Sequence, residues 1–424
     1  MSNVLDFGAK GDGIANDTLA FQKAIDAGGT VYVPDGKYIC GTLYLKSNGG
    51  LDLAPNAEII ASLNPADYSP KDFCQQEKGS TVAGGHGGHL IVALEQHDVF
   101  VRGGKFNGNG NIIYDDHTIH YDIFDGGPAY KHPKWRPMQL FFICECSNVR
   151  LTDIDITDPT AWCVFVYGCE WVSIRGLHIT SSPYIWEDDG IDIDCCSHVT
   201  VSDCIIDVGD DAFTLRGHDA RLKNKRPCEW VTIQNCIFRS AYAHGIRIGV
   251  GGGTIRHCQF NNISVHDSHT AIHINSKYSD NGRGVDIHDL TFRNFHIDCK
   301  QLTIVQLDYK FVKEHPSENF IRNIFFENID GRCSLPSMVH GNDTGTVSNI
   351  VFSDINLAVM GDNTIDPILK RFLMIQEMDG VFELKKVRNV RFQNVNLEIE
   401  QPHAWKCKVA ERDCIGVKAD ITVI

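Results

Sequence analysis

An eight-residue pattern recurs through the last two thirds of the chain, with apolar residues mostly at positions 1, 3, 6 and 8. It reads VRLTDIDI from 149, VSIRGLHI from 172, VTVSDCII from 199, VTIQNCIF from 231 and CQFNNISV from 258. It continues as LTFRNFHI from 290, IFFENIDG from 324, IVFSDINL from 350 and VRFQNVNL from 390. Each unit alternates apolar and polar residues and then slips by one, which predicts a short strand, a bend and a second short strand. The fifth position is most often Asn or Asp, side chains that tolerate left-handed backbone and bond to nearby backbone groups, so it marks the bend. Units start about 23 to 40 residues apart, a spacing suited to stacked rungs with loops of variable length between them. The expected fold is all-β: a single-stranded right-handed parallel β-helix whose rungs lie ~4.8 Å apart and stack their inward side chains into one core. Antiparallel blades of a propeller or sandwich would need hairpin turns, and the sequence shows none.

Such a core needs a cap at its open end. The segment NDTLAFQKAIDAGG supplies one, with Asn16 or Asp17 to start a helix, Phe21, Ala24 and Ile25 on one face, and Gly28-Gly29 to stop it. Residues 1–30 are therefore read as the N-terminal cap region of a single β-helix domain spanning 1–424. Polar, Gly-rich inserts at about 64–88 and 107–137 are expected to fold over one side as walls.

Composition narrows the function. A net charge of −15 argues against nucleic acid and other polyanions as partners. The opening MSNVLDFGAKGDG has no basic start followed by an apolar run, and nowhere do 18 apolar residues run together, so no export signal or membrane span is expected and the chain reads as cytoplasmic. The sixteen cysteines include no CxxC pair for zinc, and are expected as buried thiols packing like small hydrophobes.

Between Trp186 and Arg216 the chain reads WEDDGIDIDCCSHVTVSDCIIDVGDDAFTLR, with acidic residues crowded together. Alternation places Asp192 and Asp194 on the outer, solvated side of a strand, and Asp203 and Asp207 at bends. Asp189 before Gly190, and Asp210-Asp211 after Gly209, fall one rung apart and should stack. Carboxylates held so close repel, which raises the pKa of at least one, the condition for a general acid beside a general base in glycoside hydrolysis. A calcium site would explain the same cluster. Residue types alone leave both readings open.

DGIDIDCCSHVTVSDC followed by VGDDAFTLRG resembles the catalytic region of glycoside hydrolase family 28, the polygalacturonase family, whose motifs run NTDG, GDD, GHG and RIK. VLDFGAKGDGIANDTLAFQKAIDA resembles the opening of many pectin-active β-helix proteins, and ASLNPADY, FVRGGKFNGNG and RPMQLFFICECSNV sit where the family has counterparts. The resemblance implies catalysis by Asp210 as general acid and by Asp189 and Asp211, which position and deprotonate the water. It places the GHG histidine at His244 in AHGIRIG, implies inversion, and matches Tyr309 in VQLDYK to a substrate-contacting tyrosine. No cofactor or metal is implied, and the expected partner is an oligosaccharide or polysaccharide.

Two positions depart from the family. Glu187 and Asp188 replace the Asn and Thr of NTDG, and RIK reads HIN at His273, Ile274 and Asn275. Losing that lysine removes a charge-assisted bond to a uronate, typically ~1.5–3 kcal/mol. Candidates to replace it are Arg216, Arg247 and Lys277, the basic loop RLKNKR from 221, and Arg283. Arg247 follows His244 by three residues, and alternation puts the two on opposite faces unless the strand bends. The leading reading is an exo-acting, polygalacturonase-like hydrolase of pectin-derived oligosaccharides. The alternatives are a glycosidase on rhamnogalacturonan or a neutral glycan, a polysaccharide lyase, and a non-catalytic carbohydrate-binding β-helix.

Overall fold

The computed structural model describes residues 1–77, 87–121, 128–361 and 379–424. Parts of both expected wall inserts, 78–86 and 122–127, lie outside the described residues. The chain forms two compact units, and one of the boundaries between them falls between Asp210 and Asp211. Among the described residues no helix is long and apolar enough to cross a membrane.

In the first unit, strands Ser147–Thr152, Glu170–Arg175 and Ser197–Ser202 pair in parallel, registering Val149 with Val172 and Val199, and Leu151 with Ile174 and Val201. A second parallel ladder, Gln139–Cys144, Val164–Tyr167 and Ile191–Asp194, lines up Phe141, Val164 and Ile191, then Ile143, Val166 and Ile193. These are the inward columns that the alternation predicts. In the second unit the repeats form longer strands: Cys228–Ser240, Thr254–His266, Asp286–Asp298, Phe320–Cys333, Thr346–Val359 and Val387–Ile399. Another ladder, Phe213–Gly217, His244–Gly251, Thr270–Ser279 and Gln301–Phe311, carries the residues of functional interest. The fold is a parallel β-helix, right-handed as parallel crossovers nearly always are.

The bend forms at the fifth position of all nine repeat units. Asp153, Gly176, Asp203, Asn235, Asn262, Asn294, Asn328, Asp354 and Asn394 all have φ between +52° and +67°. Their side chains also link rungs: Asn328 Nδ2 donates to Asn294 Oδ1 at 2.7 Å, and Asn394 Nδ2 to Asp354 Oδ1 at 2.7 Å. The third position points inward and becomes a column of phenylalanines. Phe260, Phe292, Phe326, Phe352 and Phe392 stack with ring centroids 4.6 to 5.2 Å apart. Offset stacking at this spacing adds ~0.5–1.5 kcal/mol per pair to the burial of each ring.

The cap helix spans Thr18–Asp26 and buries Ala20, Phe21, Ala24 and Ile25, with Phe21 edge-on to Tyr38 at 5.2 Å. Asp17 occupies the N-cap position, but its carboxylate accepts from the backbone N–H groups of Lys10 and Gly11 instead of from the helix. Thirteen of the sixteen cysteines are buried.

One expectation is overturned. Asp192 and Asp194 do not face solvent; they are 0% and 1% exposed. They stand in register with Phe165 and Tyr167, on a face that Met138, Trp162 and Leu222 cover as a second apolar cluster. Alternation reads the side of the sheet correctly, but it cannot see a loop laid over that side.

Candidate active site

The first unit supplies a buried acidic turn. Asp189 is buried and Asp210 partly exposed, and one carboxylate oxygen of each lies within 4.8 Å of the other. The turn is fixed by Asp188, which is fully buried and accepts from the N–H groups of Gly209 at 3.0 Å and Asp210 at 2.7 Å. Asp210 in turn accepts from the Glu187 N–H at 3.2 Å. Burial pushes the Asp188 carboxyl up to about 7 against hydrogen bonds that favour its charged form, and the neighbouring Asp210 charge adds to the rise. The extra charge at Glu187 is neutralised by Arg136, which pairs with it and donates to the carbonyls of Thr160 and Trp186 and to the Tyr114 hydroxyl.

The second unit gathers most of the remaining predicted residues. Asp211 accepts from the backbone N–H of His244 at 3.2 Å, and Arg247 Nη1 stands 3.7 Å from its other oxygen. His244 and Arg247 thus share a face after all. The strand bends at Gly245, where a Cβ would come within 2.3 Å of Val265 Cγ1. Gly245 and Ile246 therefore both turn toward the core, and the alternation slips by one.

His273 Nδ1 lies 2.7 Å from His244 Nε2, and the Arg247 guanidinium lies over the rings of Tyr278 and Tyr309 at 5.3 and 5.5 Å. Those two rings stack at 4.9 Å. Burial holds His244 well below its usual range, helped by His273, Arg247, His269 and Lys310. His273 is lowered by burial, Arg247 and His269. Asn275 and Lys277 continue on the strand of His273, both buried, and Asn275 Nδ2 donates to the Lys277 carbonyl. Arg216 sits half-buried on the Phe213–Gly217 strand, whose Thr214 is in register with Arg247.

The basic loop is engaged elsewhere. Lys223 pairs with Glu95, Arg226 Nη1 with Glu170 at 2.5 Å, and Arg283 with Asp219 at 2.9 Å. Acidic side chains thus meet these three charges.

The second unit thus holds a carboxylate, neutral imidazoles and a guanidinium beside a pair of stacked tyrosines. The model of the glycosyl hydrolases family 28 matches residues 75–364.

The chain belongs to glycosyl hydrolases family 28.

A second family model, rhamnogalacturonase A/epimerase, pectate lyase-like, matches residues 1–53. A probable polygalacturonase of Vitis vinifera is 25% identical over 307 residues, covering 69% of this chain and 60% of that protein. The chain thus spans less than two thirds of that relative's length. An exopolygalacturonase of Zea mays is 22% identical, covering 85% of this chain and 84% of that protein. Among solved structures, a family 28 exopolygalacturonase of Yersinia enterocolitica superposes with a TM-score of 0.70 at 20% identity, covering all of this chain and 79% of that one.

Sequence reasoning did not single out Tyr278, Gln306 or Lys310, which lie against Arg247, His273 and Tyr309 respectively. Tyr278 and Lys310 adjoin Lys277 and Tyr309, which it did single out, and that adjacency was the available signal. Gln306 carried no local signal.

Proposed function

We propose that this family 28 protein is an inverting hydrolase that removes galacturonate units from the ends of pectin-derived oligosaccharides. The observation that carries the reading is Arg247. It lies 3.7 Å from Asp211, with its side chain 13% exposed, and rests on two tyrosines. A planar, permanently charged guanidinium held beside a carboxylate and over two aromatic rings is suited to a planar, bidentate anion such as a uronate carboxylate. In register with His273, it stands one rung from the arginine and lysine positions of the family's RIK motif, and replaces the charge lost in HIN. Lys277 and Lys310, both nearly buried, add to an environment suited to an acidic sugar.

In this reading Asp210 protonates the leaving oxygen, and Asp189 and Asp211 hold and deprotonate the attacking water. His244 donates a hydrogen bond within the same machinery. Arg216, Asn275, Lys277 and Tyr309 line the sugar, and His273 stands behind His244. Exo action is supported by the insert at 107–137, whose Tyr114 and Arg136 anchor the acidic turn itself. Inversion comes from the family pattern. The nearest oxygens of Asp189 and Asp210, within 4.8 Å, are closer than the ~6.5–9.5 Å usual for inverting pairs, which makes the product anomer informative.

The test is product mass and reducing-sugar release from oligogalacturonides, rhamnogalacturonan fragments and neutral plant oligosaccharides, with Asp210→Asn as control. Release of single galacturonates by the wild type alone supports the reading. Activity confined to a neutral glycan would assign HIN to a change of substrate, and unsaturated, ultraviolet-absorbing products would mean elimination.

A further inference from the structure

Three side chains of the second unit form a hydrogen-bond chain. Gln306 Nε2 lies 3.1 Å from His273 Nε2, and His273 Nδ1 lies 2.7 Å from His244 Nε2. The two rings meet edge to face, 75° apart with centroids at 4.2 Å. His244 and His273 are 0% and 1% exposed, and burial beside the Arg247 charge keeps both neutral. Each ring therefore carries one proton, and the chain decides on which nitrogen.

The order follows from the amide nitrogen that Gln306 turns toward His273. An amide nitrogen only donates. Gln306 Nε2–H donates to His273 Nε2, so His273 keeps its proton on Nδ1. That N–H donates to His244 Nε2, so His244 keeps its proton on Nδ1. The geometry points to His273 as a positioning residue that, with Gln306, fixes His244 as a neutral Nδ1–H donor.

This inference rests on the proposed hydrolysis only for its catalytic consequence; the tautomer stands by itself. With Nε2 engaged by His273 and Nδ1 protonated, His244 has no free lone pair to serve as a base. It acts as a fixed donor, whose bond strengthens as negative charge develops on an oxygen. The chain also gives a physical role to the His of HIN. His273 is in register with Arg247, so an arginine there would set two like charges side by side across neighbouring rungs. An imidazole presents a donor to His244 without the second charge.

The experiment uses the full chain labelled with ¹⁵N-histidine, with long-range ¹H–¹⁵N spectra assigning the protonated nitrogen of each ring. In the wild type, His244 and His273 are expected as Nδ1–H tautomers. Gln306→Met keeps the volume of this half-buried side chain and removes its donor. The expected result is a mixed tautomer signal at His244, with kcat reduced at least about tenfold and KM within about twofold on the galacturonide cleaved. A wild-type His244 protonated on Nε2 overturns the assignment. A Gln306→Met protein with either readout unmoved overturns the positioning role. Because the spectra need no turnover, failure of this inference is distinguishable from failure of the hydrolase reading, which Asp210→Asn tests separately.

Discussion

Arg247→Ala removes the charge that the account assigns to the uronate carboxylate. The guanidinium lies on the Tyr278 and Tyr309 rings with its side chain 13% exposed, where solvent screens it weakly. A charge-assisted hydrogen bond in such a place contributes ~1.5–3 kcal/mol. At 1.36 kcal/mol per tenfold, that converts to a loss of about 10- to 150-fold in kcat/KM. The assay is kcat/KM on trigalacturonate and on its fully methyl-esterified counterpart, for wild type and variant, with thermal unfolding to confirm the fold. The loss is expected on the acid and should be small on the ester, which lacks the anion. Arg247→Lys should recover part of it, because an ammonium supplies charge without the planar fork. Equal losses on acid and ester would refute the reasoning and leave Arg247 as a packing residue above two tyrosines.

Other perturbations follow from the same geometry. Gly245→Ala puts a methyl group within 2.3 Å of Val265 Cγ1, so Val265 or the strand carrying His244 must give way; kcat should fall more than tenfold by steady-state kinetics if the strand moves, and an unchanged kcat would mean that the bend does not position His244. Phe292→Ala opens the stacked core column and should cost about 3–5 kcal/mol in denaturant unfolding; a loss under about 1 kcal/mol would mean that the column is not the core. Asp188 has a folded pKa raised to about 7 from its usual 3.8. The native state therefore holds this proton more tightly than the unfolded chain, and stability from this group falls as pH rises from about 4 to 7. Asp188→Asn should accordingly gain in Tm relative to wild type across that window; a Tm difference independent of pH would place the proton elsewhere.

The repeat architecture was legible because its cause is local. A left-handed residue at the fifth position and an inward apolar side chain at the third recur in each of the nine units, and both follow from side-chain chemistry within eight residues. The acidic turn was legible because Asp189 and the Asp210-Asp211 pair each adjoin a glycine one rung apart. What escaped reading depends on contacts between distant segments. Asp192 and Asp194 are buried in register with Phe165 and Tyr167, which belong to an apolar cluster with Met138, Trp162 and Leu222, and Lys223 and Arg226 of the 221–226 loop meet Glu95 and Glu170. The bend uniting His244 with Arg247 arises from the space that Val265 leaves for Gly245, and Gln306 joins the site only through a ring 33 residues away. Periodicity fixes the side of a strand, whereas the cover laid over that side is set by tertiary contacts.

The most direct test of the central claim is the anomeric configuration of the first product, followed by ¹H NMR during hydrolysis of trigalacturonate with Asp210→Asn alongside. The account predicts single galacturonate units released with inverted configuration, and none from the variant. Retained configuration, release that persists in Asp210→Asn, or no hydrolysis of the galacturonide would contradict it.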